Sequence, residues 1–328
     1  MKTSAVCKSR PMDAKSFFSK LNSLRKNISP FNNREDMTKA EFTVKKLLAY
    51  ILTYTAGMFV GEGLVIGILT AMGHDALHGD MPDSALLMLC LTYYGYVVFD
   101  LIAILYCKIF EKRGLRSLGF DKKAYDWLFG GVIAAIMLAV IIAVCCVTGS
   151  LSFVGTSSGV GVKTALLTAL AFVIQGSMEE IFARGLLMNS LRKKLSDKTA
   201  IFISATVFAV MHLIGCPILE QGALGAAVSI ANLYLISVLF SICMIRRNNI
   251  WINCGLHSLW NYILNCVLGL TVSGAESINE GMILISVNKS NIINGGEYGV
   301  EAGLACTVVT AAALLIAVMV NKGKERQG

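Results

Sequence analysis

Charged residues are scarce in this chain: they make up 15% of 328 residues, against 55% hydrophobic and a mean hydropathy of +0.65. Soluble globular domains carry about a quarter charged residues, so that class is excluded. Among the ten cysteines there is no Cys-x-x-Cys pair, and most (Cys90, Cys145, Cys146, Cys243, Cys254, Cys266, Cys306) fall in apolar stretches. That argues against a disulfide framework and for small packing residues. A cleavable signal peptide is not expected either, because about forty-five polar and basic residues precede the first apolar run where a signal sequence has only a short charged region. The first span is expected to serve as the insertion signal. No repeat at a period of about 20 to 50 residues is visible.

Windows of about 20 apolar residues, enough to cross a hydrocarbon core about 30 Å thick, can be drawn near 47–72, 85–107, 126–147, 164–190, 199–216, 223–245, 250–270 and 299–320. The expected fold class is therefore all-α, a polytopic membrane protein built as a bundle of about eight transmembrane helices. Charge in the connections alternates with this count. Basic residues crowd the amino-terminal segment, the second loop (Lys108, Lys112, Arg113, Arg116, Lys122, Lys123), the fourth (Arg192, Lys193, Lys194, Lys198), Arg246-Arg247 and the tail; the intervening loops are neutral or acidic. Short cytoplasmic loops hold the excess Lys and Arg, so both termini are expected in the cytoplasm. The net charge of +8 is spread over these loops rather than gathered on one element, which points to the lipid bilayer and not to nucleic acid as partner.

Residues 1–46 read as a basic cytoplasmic lead-in, 47–320 as a single membrane domain and 321–328 as a tail. In the lead-in, Phe17, Phe18, Leu21, Leu24 and Ile28 recur at helical spacing, which suits either a short helix on the inner leaflet or a partly disordered tail. Thr38-Lys-Ala-Glu41 has capping-box spacing and is expected to start the first helix. The long connection 271–298, with the apolar run Met282-Ile-Leu-Ile-Ser-Val287, is expected to be plain loop. His74 and His78 have the spacing of a metal pair but lie in a Gly-containing loop and are expected to do nothing together.

Three apolar stretches carry polar signatures: Glu179-Glu180-Ile-Phe-Ala-Arg184, Phe208-Ala-Val-Met-His212 and His257-Ser-Leu-Trp-Asn261. Each charged group in hydrocarbon costs roughly 3 kcal/mol on insertion scales, so a chain that retains several there is expected to use them. Glu180 and Arg184, four apart, share a helical face and can pair, while Glu179 points about 100° away. One carboxylate is neutralised and the other left free, as peptide hydrolysis requires of a general base that takes a proton from water. Glu180 and Arg184 then form its scaffold; an ion pair that merely accommodates the two charges is the plainer alternative. His212 can orient the water or share its proton, with Phe208 one turn away walling the pocket. His257 and Asn261 present an imidazole and a carboxamide on one face, both able to donate to an oxyanion. Counted from the flanking basic residues at about 1.5 Å per residue, Glu179, His212 and Asn261 stand about 20 Å deep and His257 about 15 Å. Three helices thus converge at one level, in a cavity expected to open to the cytoplasm.

Glu-Glu-x-x-x-Arg, Phe-x-x-x-His and His-x-x-x-Asn, in this order on successive apolar segments, resemble the CAAX proteases and bacteriocin-processing enzymes, whose eukaryotic relatives are the Ras and a-factor converting enzymes. Arg184-Gly185-Leu186, Leu213 and Ile250-Trp251 extend the likeness, which covers roughly 165–270. Ala183 departs from it, standing where family members often have an aromatic residue. The resemblance implies an intramembrane endopeptidase with an eight-helix core, acting on a small membrane-associated protein or peptide. The positions matching Glu179 and His212 would activate water, and those matching His257 and Asn261 would stabilise the oxyanion. It leaves the metal open: Glu179, His212 and His257 could ligate zinc, but the His-Glu-x-x-His spacing of ordinary zinc proteases is missing, and metal-free general-base catalysis is expected. In a eukaryote the resemblance implies CAAX-type processing, removal of the last three residues of prenylated proteins; in a bacterial plasma membrane, the expected setting, it implies peptide maturation, bacteriocin self-immunity or regulated proteolysis. Two other readings stay open, a non-catalytic immunity or binding protein and a transporter. The fourth span lacks the proline that often breaks helices at transport sites.

Overall fold

A computed structural model describes residues 15–16, 19–20, 34–215 and 218–325. The helix expected around 17–28 lies almost entirely outside the described residues. The chain is an all-α polytopic membrane protein. Among the described residues eight α-helices of twelve residues or more follow in order: α1 Lys39–Ala71, α2 Ala85–Ile109, α3 Asp126–Val147, α4 Val162–Glu180, α5 Asp197–Gly215, α6 Gly222–Arg247, α7 Trp251–Tyr262 and α8 Leu304–Glu325. Six segments (α1, α2, α3, α4 with its continuation to Leu191, α5 and α6) are long and apolar enough to cross a membrane, and α8 contains a shorter apolar helix. The exposed faces of α1 and α3 carry Leu48, Ile51, Phe59, Leu64, Leu128, Val132 and Ile136, an apolar exterior that would be an aggregation hazard in water and suits lipid.

The first helix begins eight residues before the apolar window because Thr38 caps it, its hydroxyl accepting the Glu41 N–H at 3.1 Å. At its other extreme each helix enters one of two sides. The basic loops lie on the side where α1 begins; the far side holds residues 148–161 and 268–303. There the expectation of plain loop fails. Ile283–Val287 (β2) pairs antiparallel with Leu151–Thr156 (β1), with a register shift between Phe153 and Gly155. Each strand is short, and its partner lies some 130 residues away in sequence, so neither carries a local pairing signal.

What positions the site is the lodging of α7 between α3 and α4. Gly130 and Gly131 on α3 and Gly255 on α7 bring the two backbones together, a Cβ on Gly255 running into the Trp127 carbonyl. On the other flank, a Cβ on Gly176 of α4 would stand 2.8 Å from the Ser258 nitrogen. Small residues allow such approach in membrane helices. His257 and Asn261 are thereby held against the face of α4 that carries Glu179 and Glu180.

Candidate active site

Beyond Glu180 the fourth helix loosens into a π-helical stretch, Ile181–Met188, before a last α-turn Asn189–Leu191. Such stretches recur at functional sites. Arg184 lies within it, and its guanidinium still reaches back to Glu180 at 2.9 Å, both side chains fully buried. Phe208 and Phe240 flank the guanidinium, 4.6 and 5.0 Å from their ring centres, and its far nitrogen donates to Ser237 Oγ at 2.7 Å. Glu180 also accepts from His257 Nδ1 at 3.0 Å and from Asn253 Nδ2 at 3.3 Å. This carboxylate is fully engaged.

Glu179 is not. Its Oε1 accepts from Gln175 Nε2, one turn earlier on α4. Its Oε2 is buried and has no hydrogen-bond partner, yet two imidazole nitrogens face it, His257 Nε2 at 3.8 Å and His212 Nε2 at 3.9 Å. The tautomers follow from the other ring nitrogens. His212 Nδ1 lies 2.9 Å from the Phe208 carbonyl, which only accepts, so Nδ1 carries the proton; Glu180 imposes the same on His257. Both Nε2 atoms are thus proton acceptors in the neutral rings, turned toward one carboxylate oxygen.

Asn261 Nδ2 donates to Gln175 Oε1 at 2.8 Å, so Gln175 bridges Glu179 on its own helix and Asn261 on α7. The expectation that Glu179 lacks a same-helix partner is corrected here: reading forward from each motif missed the carboxamide four residues upstream. Asn253, four residues before His257, was missed in the same way. The six motif residues Glu179, Glu180, Arg184, His212, His257 and Asn261 form one cluster, whereas His74 and His78 stay apart in their loop, paired with Asp80 and Asp75.

Two cavities meet the cluster and share Phe208 and His212. One, of about 150 Å³, is bounded by Tyr50 and Tyr54 of α1 together with Glu179, Phe182 and Ala183. Phe182 packs edge-on against Tyr54 at 5.5 Å; the small Ala183 leaves its side of this space open. The other, of about 50 Å³, passes His257 and Asn261 and reaches Glu301 on the far side, a residue no sequence motif indicated. Burial pushes the Glu301 carboxyl up from its ordinary 4.5, against the pull of the Ser273 and Trp260 N–H donors.

As a zinc site the cluster fits poorly. Ligands about 2.0–2.1 Å from zinc in a tetrahedron lie about 3.3 Å from one another, closer than the 3.8 and 3.9 Å found here. Among the described residues no group of three or more His, Cys, Asp or Glu is placed to hold a metal ion.

No curated protein and no solved structure matches the chain. A family model does, that of type II CAAX prenyl endopeptidase Rce1-like proteins, over residues 161–263. The matched stretch runs from the residue before α4 to the turn after α7 and contains all six motif residues and Gln175. Over this segment, less than half of its length, the chain is similar to the type II CAAX prenyl endopeptidases.

Proposed function

We propose that the chain is a membrane-embedded endopeptidase in which Glu179 activates water to hydrolyse a peptide bond of a small membrane-associated protein or peptide. The observation that carries this reading is the meeting of Glu179 Oε2 with His212 Nε2 and His257 Nε2 at 3.8–3.9 Å. A water between them can donate one hydrogen to Glu179 and the other to His212. As it attacks the scissile carbonyl carbon, a C–O bond forms and Glu179 takes the proton. The negative charge moves to the former carbonyl oxygen. The Asn261 N–H that Gln175 does not occupy donates to it, and so does His257 Nε2 in the imidazolium form, which Glu180 holds through Nδ1; in the neutral ring that nitrogen only accepts. The C–N bond then breaks, and the proton on Glu179 passes to the leaving nitrogen, His212 lying beside the path. Glu180 and Arg184 are positioning residues, fixing the His257 ring through Nδ1. No step needs a metal ion.

We assign the basic side to the cytoplasm on charge asymmetry and the setting to a bacterial plasma membrane. The test compares membrane-protein termini and released peptides in cells carrying the native chain or Glu179→Gln at equal expression. A product seen only with the native chain supports the reading and names the substrate. Indistinguishable peptide pools, with a phenotype shared by both forms, would replace it with a non-catalytic immunity or binding role.

A further inference from the structure

The larger of the two cavities at the cluster has a part that the hydrolytic mechanism does not use. Glu179 and His212 form one side of it; opposite them stand Tyr50, Tyr54, Phe182 and Met211, with the single small residue Ala183. The rings are locked together. Tyr50 stacks on Tyr54 at 6.1 Å, and both meet Phe182 edge-on, at 5.9 and 5.5 Å. Tyr54 and Phe182 lean in turn on Phe99 of α2, at 5.4 and 6.2 Å. Ala183 is fixed through its backbone: its carbonyl accepts from Ser204 Oγ of α5 at 2.8 Å, and Ser204 is fully buried. Walls packed on several sides yield little to an intruding group, so this space keeps its size. Tyr50 and Tyr54 belong to α1, outside the segment matched by the family model.

We propose that this cavity is the subsite for the substrate residue that supplies the leaving nitrogen, that it takes a large apolar side chain up to the size of a phenylalanine ring, and that Ala183 sets the limit. The inference rests on the endopeptidase reading and narrows its substrate. In that reading the leaving nitrogen receives its proton from Glu179 beside His212, so the α-carbon bonded to this nitrogen is the substrate atom nearest the cavity. The oxyanion points the other way, to His257 and Asn261, which line the smaller cavity and not this one. A space of about 150 Å³ walled by apolar side chains is the size that admits one benzene in a protein interior. An indole exceeds it. Charge does not suit it either. A Lys or Arg side chain there would pair with Glu179 and tie up the base, and an acidic one would face the same carboxylate across an apolar wall.

The test uses the full chain in proteoliposomes with lipid-anchored peptides in which each position in turn is Ala, Leu, Phe, Trp or Lys; the cut and its kcat/KM are read by mass spectrometry. For the residue just after the cut, the native chain should favour Phe and Leu at least tenfold over Ala, Trp and Lys, since even one methylene in an apolar pocket is worth about 10- to 200-fold. Ala183→Phe, which fills the cavity, should put Ala ahead of Phe. Tyr54→Ala widens the same space from α1; it should bring Trp to the level of Phe, and it serves if Ala183→Phe does not fold. No preference after the cut, or one that neither variant moves, would overturn the subsite while leaving the endopeptidase reading standing. A native chain that cuts no peptide, like Glu179→Gln, would overturn both.

Discussion

Two buried clusters of charge hold this bundle together, and they are built to opposite rules. On the basic side Glu111 has no exposed side-chain surface, and it is ringed by Lys46 Nζ at 2.7 Å, Arg113 Nε at 2.6 Å, Tyr106 OH at 2.9 Å, Ser190 Oγ at 3.3 Å and Lys193 at 3.7 Å. One carboxylate faces three cations and both its oxygens are met. In the α4–α7 cluster two carboxylates face one guanidinium and two imidazoles, and Glu179 Oε2 is left without a hydrogen bond. An unsatisfied buried acceptor costs about 1–3 kcal/mol, more when charged. A stabilising device would close that gap, as the Glu111 cluster does; a reactive oxygen has to keep it open for water.

The contrast breaks first on paired substitutions. Glu179→Gln should lower the cleavage rate about 10²- to 10⁴-fold, the range a general base contributes, with the thermal midpoint of the purified chain little changed. Glu111→Gln should do the reverse. Removing one partner of a buried ion cluster costs about 3–5 kcal/mol, read as a lower midpoint, while the rate per folded molecule stays within a few-fold. Equal effects of the two on both readouts would erase the distinction between the clusters.

Glu180 tests the comparison from inside the site, since it combines both characters. It is saturated like Glu111 but touches His257. Glu180→Gln should cost stability on the same scale of about 3–5 kcal/mol, because Arg184 is left charged and buried. It should also lower kcat about tenfold or more, because the carboxamide keeps one acceptor oxygen but loses the negative charge beside His257 and can turn an N–H toward its Nδ1, so the tautomer is no longer imposed. Arg184→Met should destabilise comparably yet spare more of kcat, since His257 Nδ1 keeps its partner.

The sequence alone marked nearly everything that lies on one helix. Glu180 with Arg184 and Phe208 with His212 could be paired from their spacing of four, and common depth brought His257 and Asn261 to the same level. The eight segments followed from apolar run length and from alternating loop charge. What crossed between helices was not legible. The bridge of Gln175 from Glu179 to Asn261 depends on the closeness of α4 and α7 at Gly176, which no periodicity encodes. Glu301 reaches the cavity from a turn more than thirty residues beyond α7, and β1 finds β2 only because both strands stand on the far side of the folded bundle.

Gln175 sharpens the comparison further. It occupies Glu179 Oε1 and thereby leaves Oε2 as the oxygen facing the two imidazoles. Gln175→Leu removes the donor to Glu179 and the acceptor from Asn261 at once, keeping the bulk. We expect kcat to fall about tenfold, on the scale of a lost hydrogen bond to a charged group of about 1.5–3 kcal/mol, with KM little moved. A fall in KM-limited binding with kcat intact would make Gln175 part of substrate recognition instead.

The smallest effect concerns pH and belongs to the Glu111 cluster. Burial alone would raise this carboxyl, but Arg113 and Lys46, with the hydrogen bonds of Lys46 and Tyr106, outweigh it and hold Glu111 below its ordinary 4.5. A folded-state value depressed below the unfolded one adds stability that is present above 4.5 and is lost as the pH falls through the folded value. The midpoint of the native chain should therefore decline on acidification below that range, and the decline should be shallower in Glu111→Gln, which has no proton to gain there. The difference between the two slopes isolates the cluster from every other carboxylate in the chain. Parallel slopes would mean that Glu111 is held by packing rather than by its cations, and that the two clusters differ less than their geometry indicates.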